Sequence, residues 1–281
     1  MVRGAYLAVI LGILLLAASM SSCTTATDNN NPATATAQAE RSVQLATQMA
    51  NKLQTTNEVR FAYVTATAEA FQTLLDATRL WPVAYEDTFD EERGDWPVGV
   101  EEGELAKIEW HIRDGKYQWK ANANSGFVWW TLPEADSVGN FYLAADVQQI
   151  DGPPDGEAGL VFRSDADRSY YNFAINNEGN YSLYFHSPEG WEALIDWVPS
   201  NHVISSETNR LAVIAQGDRL LFFSNDHFLV EWNDTRLHAG EAGLIIGLSY
   251  AGEQGTWEFD NFELRAPKGD EIEAARLVTD P

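Results

Sequence analysis

The sequence predicts an all-β protein, a sandwich of two antiparallel sheets preceded by an α-helical stalk. Three observations predict it. From residue 83 to 266, short β-branched and aromatic runs alternate with polar residues, broken by Gly, Asn and Asp, and no stretch between them reads as a helix. Between Gln38 and Leu80 there is neither proline nor glycine, and large residues recur near helical spacing. At 45% hydrophobic and 12% aromatic residues, the chain is apolar enough to bury a core.

The elements follow in order. Arg3 precedes an apolar run from Ala5 to Ala18, which is shorter than the roughly 20 residues a spanning helix needs. Residues 1–22 therefore read as a signal peptide. Met20-Ser21-Ser22-Cys23 resembles the lipobox of bacterial lipoproteins. That resemblance implies acylation of Cys23, a lipid bilayer as partner, and an exported chain held at the cell membrane or cell surface. Residues 23–37 carry Thr, Ala and Asn around one proline and read as a flexible tether. In the stalk, residues 38–82, the large positions are Leu45, Met49, Leu53, Tyr63, Phe71, Leu74 and Trp81, ending before Pro82. This thin stripe suits a helix leaning on the next domain, or self-association as a coiled coil.

The domain spans 83–266, and fourteen segments read as strands: 85–89, 108–112, 117–121, 126–131, 141–149, 159–163, 170–176, 181–186, 192–197, 210–215, 220–223, 228–231, 243–248 and 256–264. Asp114-Gly115, Glu178-Gly179-Asn180, Pro188-Glu189-Gly190, Gly217-Asp218 and Asn225-Asp226 supply turn chemistry between them. Residues 267–281 read as a frayed, charged tail.

Charge narrows the function classes. The chain has 42 acidic and 18 basic residues, a formal net charge of −24. Residues 83–266 hold 33 acids against 11 bases, so the acidity belongs to the sandwich. Such a surface repels phosphate backbones, which excludes sequence-independent nucleic-acid binding. The single cysteine excludes an intramolecular disulfide and a multi-cysteine metal site.

A resemblance then emerges from an ordered set of motifs. Tyr85-Glu86-Asp87-Thr88-Phe89 leads to Gly94-Asp95-Trp96, and Asp114-Gly115-Lys116-Tyr117 opens a strand. Phe141 to Val147, Ala158 to Arg163, Tyr170-Tyr171-Asn172-Phe173 and Gly179 to Leu183 follow, and Phe259-Asp260-Asn261-Phe262 closes the domain. In order and spacing these resemble the concanavalin A-like lectin/glucanase jelly roll, nearest its 3-keto-disaccharide hydrolase-like branch, which is related in fold to family 16 glycoside hydrolases. The resemblance implies a jelly roll over 83–266. It also implies a structural Ca²⁺, with Asp260 matching the position of a family ligand and Asp87 or Asp90 opposite. It does not decide function, because the fold carries enzymes, sugar-binding modules and adhesion domains.

Family 16 enzymes carry Glu-x-Asp-x-Glu on one strand, where alternation sets the carboxylates on one face. That pattern is absent. The nearest stretches are Glu101-Glu102-Gly103-Glu104, which reads as a loop, and Asp146, whose strand neighbours are alanine and glutamine. No catalytic residue is assigned, and the five histidines form no metal-ligand spacing. Sugar receptors pair aromatic platforms with planar hydrogen-bonding groups. Trp129 and Trp130 are adjacent, so on a strand one of them faces away from the core. If Leu160 and Phe162 point inward, Arg163 stands on the opposite face, and the same alternation brings Asn172, Tyr184 and His186 beside it. Trp130 and Trp191 are the expected platforms. The leading expectation is a non-catalytic module binding a polysaccharide or glycan. A glycoside-processing enzyme and a structural or protein-interaction module are the alternatives.

Overall fold

The computed structural model describes residues 71–267, and Gln48 alone before them, which is helical and exposed. Residues 71–267 fall within one compact unit, Val64–Pro281. The signal peptide, Cys23, the tether, the rest of the stalk up to residue 70 and the tail from residue 268 lie outside the described residues.

The larger sheet has nine strands. Its path runs β13 (His227–Asn233), β12 (Arg219–Ser224), β11 (Asn209–Gln216), β6 (Phe141–Asp151), β15 (Gln254–Arg265), β4 (Lys116–Ala123), β3 (Ala106–Arg113) and β2 (Gly99–Glu102), with β1 (Val83–Asp87) also on β15. The smaller sheet has six, in the order β10 (Gly190–Pro199), β9 (Asn180–Ser187), β8 (Tyr170–Asn176), β7 (Glu157–Ser164), β14 (Glu241–Leu248) and β5 (Phe127–Thr131). Every strand pairing is antiparallel.

Each of the fourteen expected segments meets a strand, and the expected loop at Glu101-Glu102 is instead part of β2. β2 is an edge strand exposed at all four positions, so it carries no alternation of burial that a sequence pattern could register. Asn225 and Asp226 (φ 51° and 64°), like Asp114 and Gly115 (57° and 69°), adopt the paired left-handed backbone that a two-residue hairpin turn requires.

The core lies between the sheets. Trp119, Trp257, Tyr117, Phe141, Phe162, Phe173 and Phe222 are fully buried there. Trp119 meets Phe259 edge to face at 5.4 Å, and Phe162 stacks on Tyr171 at 5.3 Å.

Part of the nine-stranded sheet's outer face, over β6, β11 and β12, is covered. The helix at residues 71–78 (α1) seats Leu75, Phe71 and Leu74 on Tyr142, Ala144, Ala212, Ile214, Leu221 and Phe223. Phe71 stacks on Phe228 with centroids 3.8 Å apart. Over these residues the stalk's apolar stripe is occupied by the sheet. Arg79 fastens the helix end, reaching Asp226 and the Tyr142 hydroxyl.

Candidate functional site

The outer face of the six-stranded sheet lies on the other side of the core and holds a groove. Its floor follows from strand register. Tyr170 of β8 pairs with His186 of β9, and His186 pairs with Trp191 of β10. One step along, Val161 pairs with Asn172 and Asn172 with Tyr184. One step further, Ile245 pairs with both Trp130 and Gly159, and Gly159 with Ala174. Beyond that, Gly247 pairs with Glu157. Side chains of one parity thus share this face.

Trp129 and Trp130 divide as their adjacency requires. Trp129 packs toward the core against Trp110 at 6.2 Å, while Trp130 lies outward against Tyr170 at 4.6 Å. Tyr170 stacks on His186 at 4.9 Å, and His186 meets Trp191 at 4.8 Å. An aromatic band therefore crosses the sheet from Trp130 to Trp191. His186 Nδ1 is held by the Arg168 carbonyl at 2.9 Å.

Beside this band opens a groove of about 460 Å³. Asn172, Tyr184 and Trp191 line it, together with Glu157, Asp155, Trp197 and Tyr250 and the backbone around Gly247. Trp191 is 46% exposed and Tyr250 68%, so both offer ring faces to solvent. The Tyr184 hydroxyl donates to Asp196 at 2.8 Å. Asn172 is 1% exposed, and among the described residues its Oδ1 has no hydrogen-bond partner. Such a buried orphan acceptor is costly unless a ligand or water meets it.

Glu157 is the electrostatic centre. Burial pushes its carboxyl up to about 7, against a smaller lowering by a hydrogen bond with Asn172. By surface area the side chain is partly buried. Gly247 makes its position possible: a Cβ there would come within 2.3 Å of the Glu157 carboxyl. Burial also raises Tyr184, helped by the Asp196 hydrogen bond and the nearby Glu157 charge.

Arg163 does not join this face, contrary to expectation. It is wholly buried, donating to the carbonyls of Leu237 (2.6 Å), Gly217 (2.6 Å) and Gly139 (3.3 Å), with its guanidinium 6.0 Å from the Phe141 ring. The cause is local. Its backbone is left-handed (φ 50°) where the β7–β14 register shifts, so strict alternation fails at this residue.

The residues expected to hold calcium do not fit a cation. Asp260 accepts from Lys116 and from the Asn261 amide. Asp87 accepts from the Phe89 amide at 2.8 Å and pairs with Arg93 at 3.0 Å, while Asp90 accepts from Thr88 at 2.9 Å. Among the described residues, no group of three or more His, Cys, Asp or Glu side chains is placed to hold a metal ion.

A second depression of about 420 Å³ lies on the larger sheet, around Asp146, Arg210 and Glu263. Arg210 there bonds Asp146, Glu263 and the Asn261 carbonyl, and Asn261 bonds Asp146 at 2.8 Å. Arg210, Asp146 and Glu263 there satisfy one another.

Sequence reasoning missed Glu157, Asp155, Trp197 and Tyr250. Extending the expected strand at 159–163 back by two residues would have put Glu157 in phase with Gly159 and Val161.

No family model matches the chain, and no curated protein matches it. Solved structures similar to it include a carbohydrate-binding module, CBM66, from Bacillus subtilis, at 17% identity and a TM-score of 0.45, covering 66% of this chain and 97% of that one. A galectin-like-fold protein from the same organism is 15% identical, with a TM-score of 0.47 over 66% of this chain and 98% of that one. The catalytic domain of an endo-1,3-β-glucanase (laminarinase) from Thermotoga petrophila is 8% identical, with a TM-score of 0.47 over 67% and 99%. These likenesses assign no residue a role, and the sandwich of two antiparallel sheets stands on the strand pairings themselves.

Proposed function

We propose that the groove on the six-stranded sheet binds a saccharide, and that the protein displays it as a surface-anchored lipoprotein. One observation carries the reading: the exposed aromatic faces of Trp191 and Tyr250 and the half-buried Trp197 border the buried Asn172 and the partly buried Glu157 in a single groove. Sugar rings offer apolar C–H faces edged by hydroxyls, and this lining answers both. A hydroxyl donating to Asn172 Oδ1 would satisfy the orphan acceptor. The anchoring half rests on the signal peptide and Cys23 alone. Metabolic labelling with a fatty acid, lost in Cys23→Ala, tests it.

Titration calorimetry against a panel of soluble oligosaccharides tests the groove. Binding that Trp191→Ala weakens supports the reading, and no binding across the panel overturns it.

One feature favours a second reading. A carboxyl half-protonated near neutrality suits general-acid catalysis, and Glu157 has that character in a groove shared with Asp155. Release of reducing sugar that disappears in Glu157→Gln would establish an enzyme.

A further inference from the structure

The charged lining of the groove is one-sided. Asn172 Oδ1 is a buried acceptor without a partner, and the ionisable acids are Glu157 and Asp155. The Tyr184 hydroxyl is already engaged by Asp196, and the other donors of the lining, the Trp191 and Trp197 indoles and the Ser249 and Tyr250 hydroxyls, are neutral. None of the lining residues is lysine or arginine. The groove thus favours a cationic donor, and it sits in a sandwich whose residues 83–266 carry 33 acids against 11 bases. The walls agree, because ring faces attract cations through their quadrupoles, and Trp191, Trp197, Tyr184 and Tyr250 stand around the carboxylates.

The geometry points to an amine-bearing saccharide, an oligomer of hexosamine without its N-acetyl group, as the groove's preferred ligand. This rests on the reading of the groove as a saccharide site and names the class of sugar. The ring stacks on the aromatic walls, the ammonium meets Glu157 and Asp155, and a hydroxyl or ammonium proton reaches Asn172 Oδ1. An N-acetylated sugar loses the charge and must bring a methyl group toward carboxylates. A uronic acid meets like charge with no arginine to relieve it.

Glu157 makes the preference depend on pH. In the free protein its carboxyl keeps its proton up to about 7 because burial disfavours the charge. A ligand ammonium supplies a countercharge, so binding drives that proton off, and affinity rises as pH rises toward neutrality. The amine's own loss of charge bounds the rise from above. The ionisable groups around Glu157 are Tyr170 on β8, Tyr184 on β9, Asp196 on β10, and Asp155, Tyr250 and Glu253 in the adjoining loops, with His186 of β9 on the same face against Tyr170 and Trp191. Burial pushes Tyr170 and Tyr184 further up, so both stay neutral in this range, and Glu157→Gln separates the contribution of Glu157 from that of His186.

Titration calorimetry on the full chain decides the matter, with hexameric glucosamine, hexameric N-acetylglucosamine and a neutral glucan hexamer at pH 5 and pH 7. We expect the glucosamine oligomer to bind about tenfold tighter than either neutral oligomer at pH 7, and the advantage to shrink several-fold at pH 5. Glu157→Gln should narrow the ratio, and the wild-type pH contrast stands even if that variant fails to fold. Neutral oligomers binding as well as the amine overturn this inference and leave the saccharide reading intact. A preference that survives Glu157→Gln, or does not change between the two pH values, assigns it to the general acidity of the surface and also overturns it. Silence from all three oligomers overturns this inference, and the wider oligosaccharide panel decides the saccharide reading.

Discussion

The two outer faces of this sandwich carry similar apolar material and end differently. On the nine-stranded sheet, Tyr142, Ala144, Ile214, Leu221 and Phe223 lie beneath α1, and Arg79 closes its end. On the six-stranded sheet, Val161, Tyr170 and Ile245 are buried only by their own neighbours, Trp130, Val128 and Leu132. Over these strands the first face is finished by the chain itself. The second keeps exposed aromatic faces beside a buried orphan acceptor and a partly buried carboxyl. Groups that a covering helix would leave unsatisfied persist where a ligand can satisfy them, and it is on this face that we propose binding.

That contrast is broken most directly by removing the cover. Leu75 is fully buried, and Leu75→Ala should cost about 3 kcal/mol of stability by the usual loss of a buried leucine, read as a lower denaturant midpoint. It should leave saccharide affinity unchanged. On the open face the pattern reverses. Trp191→Ala, at 46% exposure, should cost less than about 1 kcal/mol of stability yet weaken binding by about 2 kcal/mol, as an aromatic anchor does. Equal losses of stability from both substitutions would dissolve the distinction.

Glu157→Gln probes the open face through pH. The ordinary carboxyl value is 4.5 and the folded value about 7, so the fold prefers the neutral form. Below 4.5 both folded and unfolded chains hold the proton and no penalty exists. Between there and 7 the unfolded chain has lost it, so wild-type stability falls as pH rises, and the penalty is complete above 7. The glutamine variant escapes it. Its melting temperature relative to wild type should therefore climb from pH 4 to pH 8, by an amount equal to about 1–2 kcal/mol once solvent exposure is discounted. A flat difference would mean the carboxyl is well solvated.

A smaller effect is expected at Asp234, directly after β13. Burial opposes the charge on Asp234, but the Arg236 hydrogen bonds outweigh it and hold the carboxyl down to about 2. The stability this contributes is present above the ordinary value of 3.8 and is lost as pH falls toward 2. Asp234→Asn should therefore cost about 1 kcal/mol at pH 7 and almost nothing at pH 2, seen in acid-denaturation curves.

The sheets and turns were legible because local chemistry decides them. Asp114-Gly115 and Asn225-Asp226 sit in the turns their residue types demand. The Trp129-Trp130 pair split as alternation requires. Asn172, Tyr184, His186, Trp130 and Trp191 share the face on which register was expected to gather them. Arg163 was not legible, because a single left-handed residue at a register shift reverses a side chain without changing the pattern around it. Trp197 and Tyr250 come from an edge strand and a loop far apart in sequence, and only the closed sandwich brings them together.

Gly247 has an evolutionary consequence. The missing methyl there is what lets Glu157 lie in the groove, since a Cβ would meet its carboxyl at 2.3 Å. Gly247→Ala, reachable by one nucleotide change, would push the acid outward and make the floor shallower while leaving every other wall in place. On the proposed reading, ligand choice can therefore drift through a position of the groove that has no side chain of its own, and homologues with alanine there should be the ones that prefer uncharged sugars.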